Sequence, residues 1–211
     1  MPNERRGSDT LNKLLDVAER AFAVDGYAGA HLQQMADHVG VKKAAVYYYF
    51  PSKAALHEAV LVRVLEALDA TVAAALSRPG TPEQRLEALL SALNELMAVQ
   101  QNYSQILIRL FIDRPEADFN HLLPLVERPI LRLLEFYREG YDQGVFVKMS
   151  SRHLVQTMLG AIVFHYGSKQ LGTRMLGVDD LFSRASVEWR DKEVRRFALN
   201  AILRRRPVDL E

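Results

Sequence analysis

The residues best suited to binding chemistry form a basic, tyrosine-bearing run near the N-terminal quarter of the chain. The run contains Lys42, Lys43, Tyr47, Tyr48 and Lys53. No acidic residue lies between Asp37 and Glu58, although the 211-residue chain has a net charge of only +1. Lysine ammonium groups and tyrosine hydroxyls bind phosphate oxygens, and lysine also reaches guanine edges. The local charge therefore favours a phosphate-binding surface on an otherwise neutral protein.

Two short helices joined by a tight turn would present this run to a partner. Apolar residues recur at helical spacing from Leu32 to Val39, and Gly40 then suits a left-handed helix end. A second short helix fits residues 43–49. Steep crossing of two such helices needs a small residue at the contact, and Ala36 provides it. The pattern predicts a helix-turn-helix whose second helix enters the major groove of DNA.

Helical geometry divides the side chains of this motif between core and surface, because consecutive residues point about 100° apart. Tyr49 and Phe50 are expected in the core. The predicted contacts to DNA are Gln33, Gln34, Lys42, Lys43, Ala44, Tyr47, Tyr48 and Lys53.

The rest of the chain also follows the helical period, so the fold class is predicted to be all-α. About nine helices are expected, near residues 11–25, 32–39, 43–49, 52–76, 82–97, 104–112, 122–143, 151–166 and 179–205. Thr81 begins a capping box with Gln84, and Pro82 suits the first helical turn. Residues 167–177 are interpreted as a loop or a fraying helix. The predicted organisation is a three-helix DNA-binding domain over residues 1–50 and a helical ligand-binding and dimerisation domain over residues 51–211.

Composition excludes several other classes of protein. Apolar residues make up 49% of the chain, which is enough for a packed core. The absence of cysteine excludes disulfides and thiolate metal sites. No apolar stretch approaches the roughly 20 residues of a membrane span, and no secretory signal is expected at the N-terminus. We therefore expect a cytoplasmic protein without a membrane partner.

The N-terminal segment resembles the DNA-binding head of the tetracycline-repressor (TetR) family. The residues that carry this resemblance are Gly26-Tyr27, Leu32-Gln33-Gln34-Met35-Ala36, Gly40-Val41 and the run Ala45-Val46-Tyr47-Tyr48-Tyr49-Phe50-Pro51-Ser52-Lys53-Ala54-Ala55-Leu56. The match covers about residues 10–58. It departs from the family at Ala30, His31 and Lys42, where a Ser or Thr usually caps the helix. The resemblance implies a homodimeric repressor that a small molecule releases from a near-palindromic operator.

Candidate residues for binding that effector are less specific than the DNA-binding set. They are Met97, Tyr103, Arg109, Phe111, Phe136, Tyr137, Phe164 and His165. Apolar and aromatic residues at helical spacing are core more often than pocket. Arg109 would anchor an acidic effector or form an ion pair, and His165 would sit in a core, at an interface or against a ligand. No metal site is expected, since no histidine pair has ligand spacing.

Alternative functions remain open at this point. An adaptor that has lost operator specificity, or a regulator that needs no effector, would have the same helical pattern. An enzyme is not expected, because the GxSxG, GxGxxG, GxxxxGK[ST] and HExxH motifs are all absent. The two apolar C-terminal helices are expected to pair with their mates in a four-helix bundle, since one chain cannot cover their faces.

Overall fold

The described part of the chain folds into α-helices. The computed structural model describes residues 2–112 and 120–204, and the side chains of residues 9–110 and 121–204. Within those ranges the helices are α1 (Pro2–Gly29), α2 (Leu32–Val39), α3 (Lys43–Tyr49), α4 (Lys53–Leu76), α5 (Pro82–Val99), α6 (Tyr103–Ile112), α7 (Leu123–Asp142), α8 (Ser151–Gly167), α9 (Gln170–Leu176) and α10 (Arg184–Ile202). The predicted all-α fold is confirmed.

The helix ends follow the local signals in the sequence. Gly40 adopts a left-handed conformation with φ 76°, and its N–H donates to the carbonyls of Ala36 and Asp37. Thr81 and Gln84 form the predicted capping box: the Gln84 N–H lies 3.3 Å from the Thr81 hydroxyl, and the Thr81 N–H lies 3.0 Å from Gln84 Oε1. The backbone N–H groups of Gly40, Thr81 and Gln84 are thereby satisfied.

Several segments differ from the predicted boundaries. Helix α1 begins at Pro2, well before the predicted start near residue 11. The chain direction changes at Gly26, as expected, but helical bonding continues beyond its non-helical φ of 71° to Gly29. Residues 170–176 form the short helix α9. Ser183, whose hydroxyl accepts a hydrogen bond from the Ser186 N–H, places the start of α10 a few residues later than predicted.

The chain divides into two compact units, Met1–Glu66 with Asn102–Leu123, and Ala67–Gln101 with Pro124–Glu211. We call the first the head unit and the second the body unit. The head unit contains α1 to α3, the first part of α4 and α6, which packs against α1. Helix α6 thus belongs with the helix-turn-helix although it follows α5 in sequence.

The body unit has an aromatic core around α7 and the segment that follows it. Phe146 is buried, and its ring lies edge-on to Phe136 at a centroid distance of 5.5 Å. Gly140 passes directly beside the Phe146 ring, where a Cβ atom would collide with it. The end of α10 joins this segment through an antiparallel bridge between Phe146 and Leu203.

Candidate DNA-binding surface and ligand cavity

Helices α2 and α3 pack through small and branched side chains. Ala36 and Val46 have no exposed surface, and Met35 is buried beside them. The Val41 N–H donates to the Ala36 carbonyl at 3.0 Å, which closes the turn around Gly40. The predicted helix-turn-helix is therefore formed by the residues that the spacing indicated.

The predicted DNA-contacting residues of α2 and α3 lie on the surface of the head unit. Exposed members of this set are Gln33, Gln34, Lys42, Lys43, Ala44, Tyr47 and Tyr48. The Tyr48 side chain is 83% exposed and Tyr47 is 46% exposed. Lys43 Nζ lies 5.9 Å from the centre of the Tyr47 ring. We call the exposed side chains of Lys42, Lys43, Ala44, Tyr47 and Tyr48 the α3 face.

Tyr49 and Phe50 follow this exposed face along the chain. Phe50 is buried, whereas Tyr49 is half-buried, and the Tyr48 ring stands edge-on to it at 5.2 Å. The core position predicted for Phe50 is confirmed, whereas Tyr49 is only half-buried and its ring contacts an exposed tyrosine.

Lys53 has partners inside the head unit. Its Nζ donates to the Ala28 carbonyl at 3.2 Å and lies 4.8 Å from the centre of the Tyr27 ring. Burial lowers the pKa of Lys53. These contacts connect the end of α1 to the start of α4. An ammonium group has three N–H donors, so Lys53 can also donate to a phosphate.

A polar network connects three helices of the head unit. The Arg63 guanidinium lies 2.6 Å from Asp16 and 3.8 Å from Glu19, which joins α4 to α1. Asn102, just before α6, donates to Glu19 Oε1 at 3.2 Å. Burial raises the pKa of Glu19. Sequence reasoning did not find these residues, because their partners lie 47 and 83 positions away.

Arg109 binds the end of α1. Its Nε donates to the Ala23 carbonyl at 3.0 Å, and Nη2 donates to the Val24 carbonyl at 2.8 Å. Both carbonyls lie just before the break at Gly26, where regular helical bonding is interrupted. A guanidinium is a suitable partner for carbonyls at a helix C-terminus.

The body unit contains an apolar cavity of about 60 Å³ between α5, α7, α8 and the end of α10. Its lining consists of Leu86, Leu89, Leu90, Leu93, Leu133, Phe136, Tyr137, Phe146, Leu154, Val155, Met158, Leu159, Ile162 and Ile202. An unfilled apolar space of this size costs about 1–2 kcal/mol.

The structure separates the effector candidates of the sequence into different environments. Phe136 and Tyr137 line the apolar cavity. Met97 is buried in the body unit outside that lining, and Phe164 is 55% exposed. Tyr103 is buried in the head unit, which also contains Arg109. The Phe111 side chain lies outside the described residues.

His165 lines a second space of about 60 Å³ with Trp189 and Arg190. Burial lowers the pKa of His165 to about 4, and the positive charge of Arg190 adds to this effect. Arg190 itself donates to the Ala161 carbonyl at 2.8 Å, which joins α10 to α8.

Each of the last three helices of the body unit carries exposed large apolar side chains. They are Phe164, Leu171, Met175, Leu176, Trp189 and Phe197. Isolated exposed apolar residues are common, but several on consecutive helices mark an interaction surface.

Two other kinds of feature are absent from the described part of the chain. Among residues 2–112 and 120–204, no helix has the length and hydropathy needed to cross a membrane. The same ranges bring no three histidine or carboxylate side chains together in a metal-binding cluster.

Comparison with known proteins assigns this architecture to a family. The family model described as bacterial regulatory proteins, tetR family, matches residues 14–60. The HTH-type transcriptional repressor KstR of Mycolicibacterium smegmatis is 30% identical over 166 residues, which cover 77% of this chain and 81% of that protein. The activator FasR of the same organism is 33% identical over 116 residues, covering 54% of this chain and 51% of FasR.

A solved structure shows the same fold along most of the chain. The ketosteroid transcriptional regulator KstR2 of Mycobacterium tuberculosis matches with a TM-score of 0.74 and 16% identity, covering 92% of this chain and 95% of that chain. Fold and helix-turn-helix together define a DNA-binding transcriptional regulator rather than an enzyme. The chain belongs to the TetR family. The resemblance and the regulatory function predicted from the sequence are confirmed.

Proposed function

We propose that the protein is a homodimeric repressor that a small-molecule effector releases from a near-palindromic operator in the bacterial cytoplasm. The observation that carries this proposal is the α3 face, where lysines and tyrosines lie exposed on a short helix held by Ala36 and Gly40. The relative KstR is named a repressor, which favours repression, whereas FasR is named an activator.

In this proposal residues 1–50 form the DNA-binding domain and residues 51–211 form the effector-binding and dimerisation domain, with Lys53 at the start of the second domain as an additional phosphate contact. On the DNA side, Gln33 and Gln34 contact the backbone, the α3 face reads the major groove and Lys53 holds a phosphate. On the effector side, Phe136 and Tyr137 contact the ligand from the apolar cavity.

Dimerisation through the exposed apolar side chains of α8 and α10 would place two heads on a two-fold axis. An isologous interface buries the same patch on both subunits, and two recognition helices then meet half-sites one or more DNA turns apart. A change in the body unit can reach the head unit along the chain through α4 and through the residues that join α5 to α6. A coupling of about 1–3 kcal/mol is enough for regulation.

A binding assay with the DNA upstream of the protein's own gene tests this proposal. The variant Lys43→Ala with Tyr47→Ala should lose the shifted complex but remain a dimer by size-exclusion chromatography. Tyr141→Ala with Lys148→Ala is the matched control, because both side chains are exposed in the body unit. The control should bind DNA as the unmodified protein does.

Salt dependence provides a second measurement in the same assay. Each phosphate contact contributes about 0.9 to the slope of log affinity against log salt concentration. The single variant Lys43→Ala removes one lysine from each subunit, so it should reduce the magnitude of this slope by about 2. Unchanged DNA affinity in the double variant would exclude the α3 face as the reading surface. A flat salt dependence of the unmodified protein would exclude phosphate binding altogether.

A further inference from the structure

The lining of the apolar cavity indicates what an effector would have to be made of. Of the described residues that line it, Tyr137 alone has a polar side chain. The Tyr137 hydroxyl donates to the Val147 carbonyl at 2.6 Å and accepts from the Met149 N–H at 2.9 Å. The hydroxyl is thus committed to the segment that follows α7. Among the described lining side chains, a ligand atom in the cavity would find no free hydrogen-bond donor, and the one acceptor oxygen already takes a hydrogen bond.

A polar group placed in such a cavity would lose its hydrogen bonds to water without replacement, which strongly disfavours burial. Hydrocarbon has no such cost and gains from leaving water. The buried part of an effector must therefore be hydrocarbon, with any carboxylate, hydroxyl or larger polar group outside.

Size and wall composition distinguish between hydrocarbon shapes. Apolar cavities that take up a benzene ring measure about 150 Å³, whereas this space is about 60 Å³. A rigid polycyclic skeleton would have to displace several walls at once. A narrow alkyl chain can enter if the lining side chains move one at a time, and the side chains of α8 are the ones placed to do so. Leu154, Met158 and Leu159 on that wall are half-buried, and methionine changes shape readily.

We propose that the effector carries an unbranched alkyl or acyl chain, which enters along the α8 wall and occupies the cavity between Phe136 and Val155. This inference rests on the proposed function, because it identifies the chemical class of the effector. An alkyl chain is a different skeleton from the ketosteroid after which the related regulator KstR2 is called.

Direct binding to the full-length chain tests the proposal without DNA. The probes are n-alkanols and saturated fatty acids of two to twelve carbons, each below its micellar concentration, and calorimetry measures their binding. Affinity should rise about fourfold with each added methylene until the space is filled, because each buried CH₂ contributes similarly. Both head groups should show this dependence. A tetracyclic steroid is the comparison ligand and should bind at least tenfold more weakly than the best chain.

Variants localise the binding. Val155→Phe should weaken binding of the longest chain more than tenfold, because the larger side chain fills the cavity. If that variant does not fold, Val155→Leu replaces it and should shift the optimal chain length to a shorter chain. Val72→Leu adds the same volume to a buried position in α4 outside the lining and should leave the length dependence unchanged. Tyr137→Phe should change affinity less than twofold, since its hydroxyl faces the backbone.

The outcomes separate this inference from the proposed function. Absence of chain binding, affinity that does not depend on chain length, preference for the steroid or loss of binding in Tyr137→Phe would each overturn the inference. Operator binding measured in parallel would stand in those cases. If chains bind as expected but do not weaken the operator complex, the cavity does bind alkyl chains, but a chain is not the effector and the inference is overturned in that respect.

Discussion

Replacement of Arg109 by methionine would test whether α6 holds α1 in the conformation that supports the helix-turn-helix. Methionine keeps the length and apolar stem of the side chain but removes the donors to Ala23 and Val24. The two hydrogen bonds differ in how exposed their acceptor residues are to solvent. Ala23 is buried, whereas Val24 is 56% exposed.

The size of the effect follows from that difference. Water can replace the guanidinium at the exposed Val24 carbonyl, so this bond contributes little. The bond to Ala23 is made by a charged donor in a buried environment, where its loss costs about 1.5–3 kcal/mol. A loss of about 2 kcal/mol corresponds to a fall in melting temperature of about 4–8 °C for a chain of this size.

Arg85→Met is a matched control in the body unit. The Arg85 Nε donates to the Leu76 carbonyl at the end of α4 at 2.9 Å, and its guanidinium lies 2.6 Å from Glu139. Both variants should therefore lose similar thermal stability. Only Arg109→Met should accelerate amide hydrogen exchange near residues 23–30 and reduce operator affinity, since α1 packs directly on α2.

Two results would refute this reasoning. Unchanged exchange near residues 23–30 in Arg109→Met would mean that the guanidinium does not hold the end of α1. Equal loss of operator affinity in Arg109→Met and Arg85→Met would mean that the effect comes from general stability and not from the contact with α1.

Two further predictions concern the body unit. The pKa of His165 is about 4 in the folded protein and near 6.5 in the unfolded chain, so the unfolded chain takes up a proton first as pH falls. The free energy of unfolding, measured by urea denaturation at a series of pH values, should therefore decrease as the pH falls from about 6.5 to 4. The variant His165→Gln should remove most of this decrease, whereas the control His38→Gln, at an exposed position, should keep it. The same pH dependence in both variants would contradict the prediction. Gly140→Ala should destabilise the fold by about 1–3 kcal/mol, because its Cβ would overlap the buried Phe146 ring, and an unchanged melting temperature would show that the ring can move away.

The structure gives physical meaning to the departures from the family pattern in the head. Neither His31 nor Lys42 makes a side-chain cap on the helix that follows it. The start of α2 and the start of α3 therefore depend on packing around Ala36 and Val46. Contacts that hold α1 in place, such as those of Lys53 and Arg109, then matter more for the orientation of α3.

The sequence by itself determined the local features of this protein. Apolar residues at helical spacing, the Thr81 capping box and the left-handed end at Gly40 predicted most helices, because these signals depend on residues within one or two turns. The helix-turn-helix was predictable for the same reason: Ala36, Gly40 and Val46 lie within eleven positions of one another, and the exposed side of α3 follows from helical geometry.

Only the tertiary structure decided which helix or cavity each apolar helix face packs against. Helical spacing marks Phe136, Met97 and Phe164 alike as apolar, yet one lines the cavity, one is buried elsewhere and one is exposed. Arg109 could have anchored a ligand or an acid, but it binds carbonyls 85 and 86 positions earlier in the chain. Periodicity specifies that a face must be covered, while the partner depends on how distant helices pack, and no local pattern contains that information.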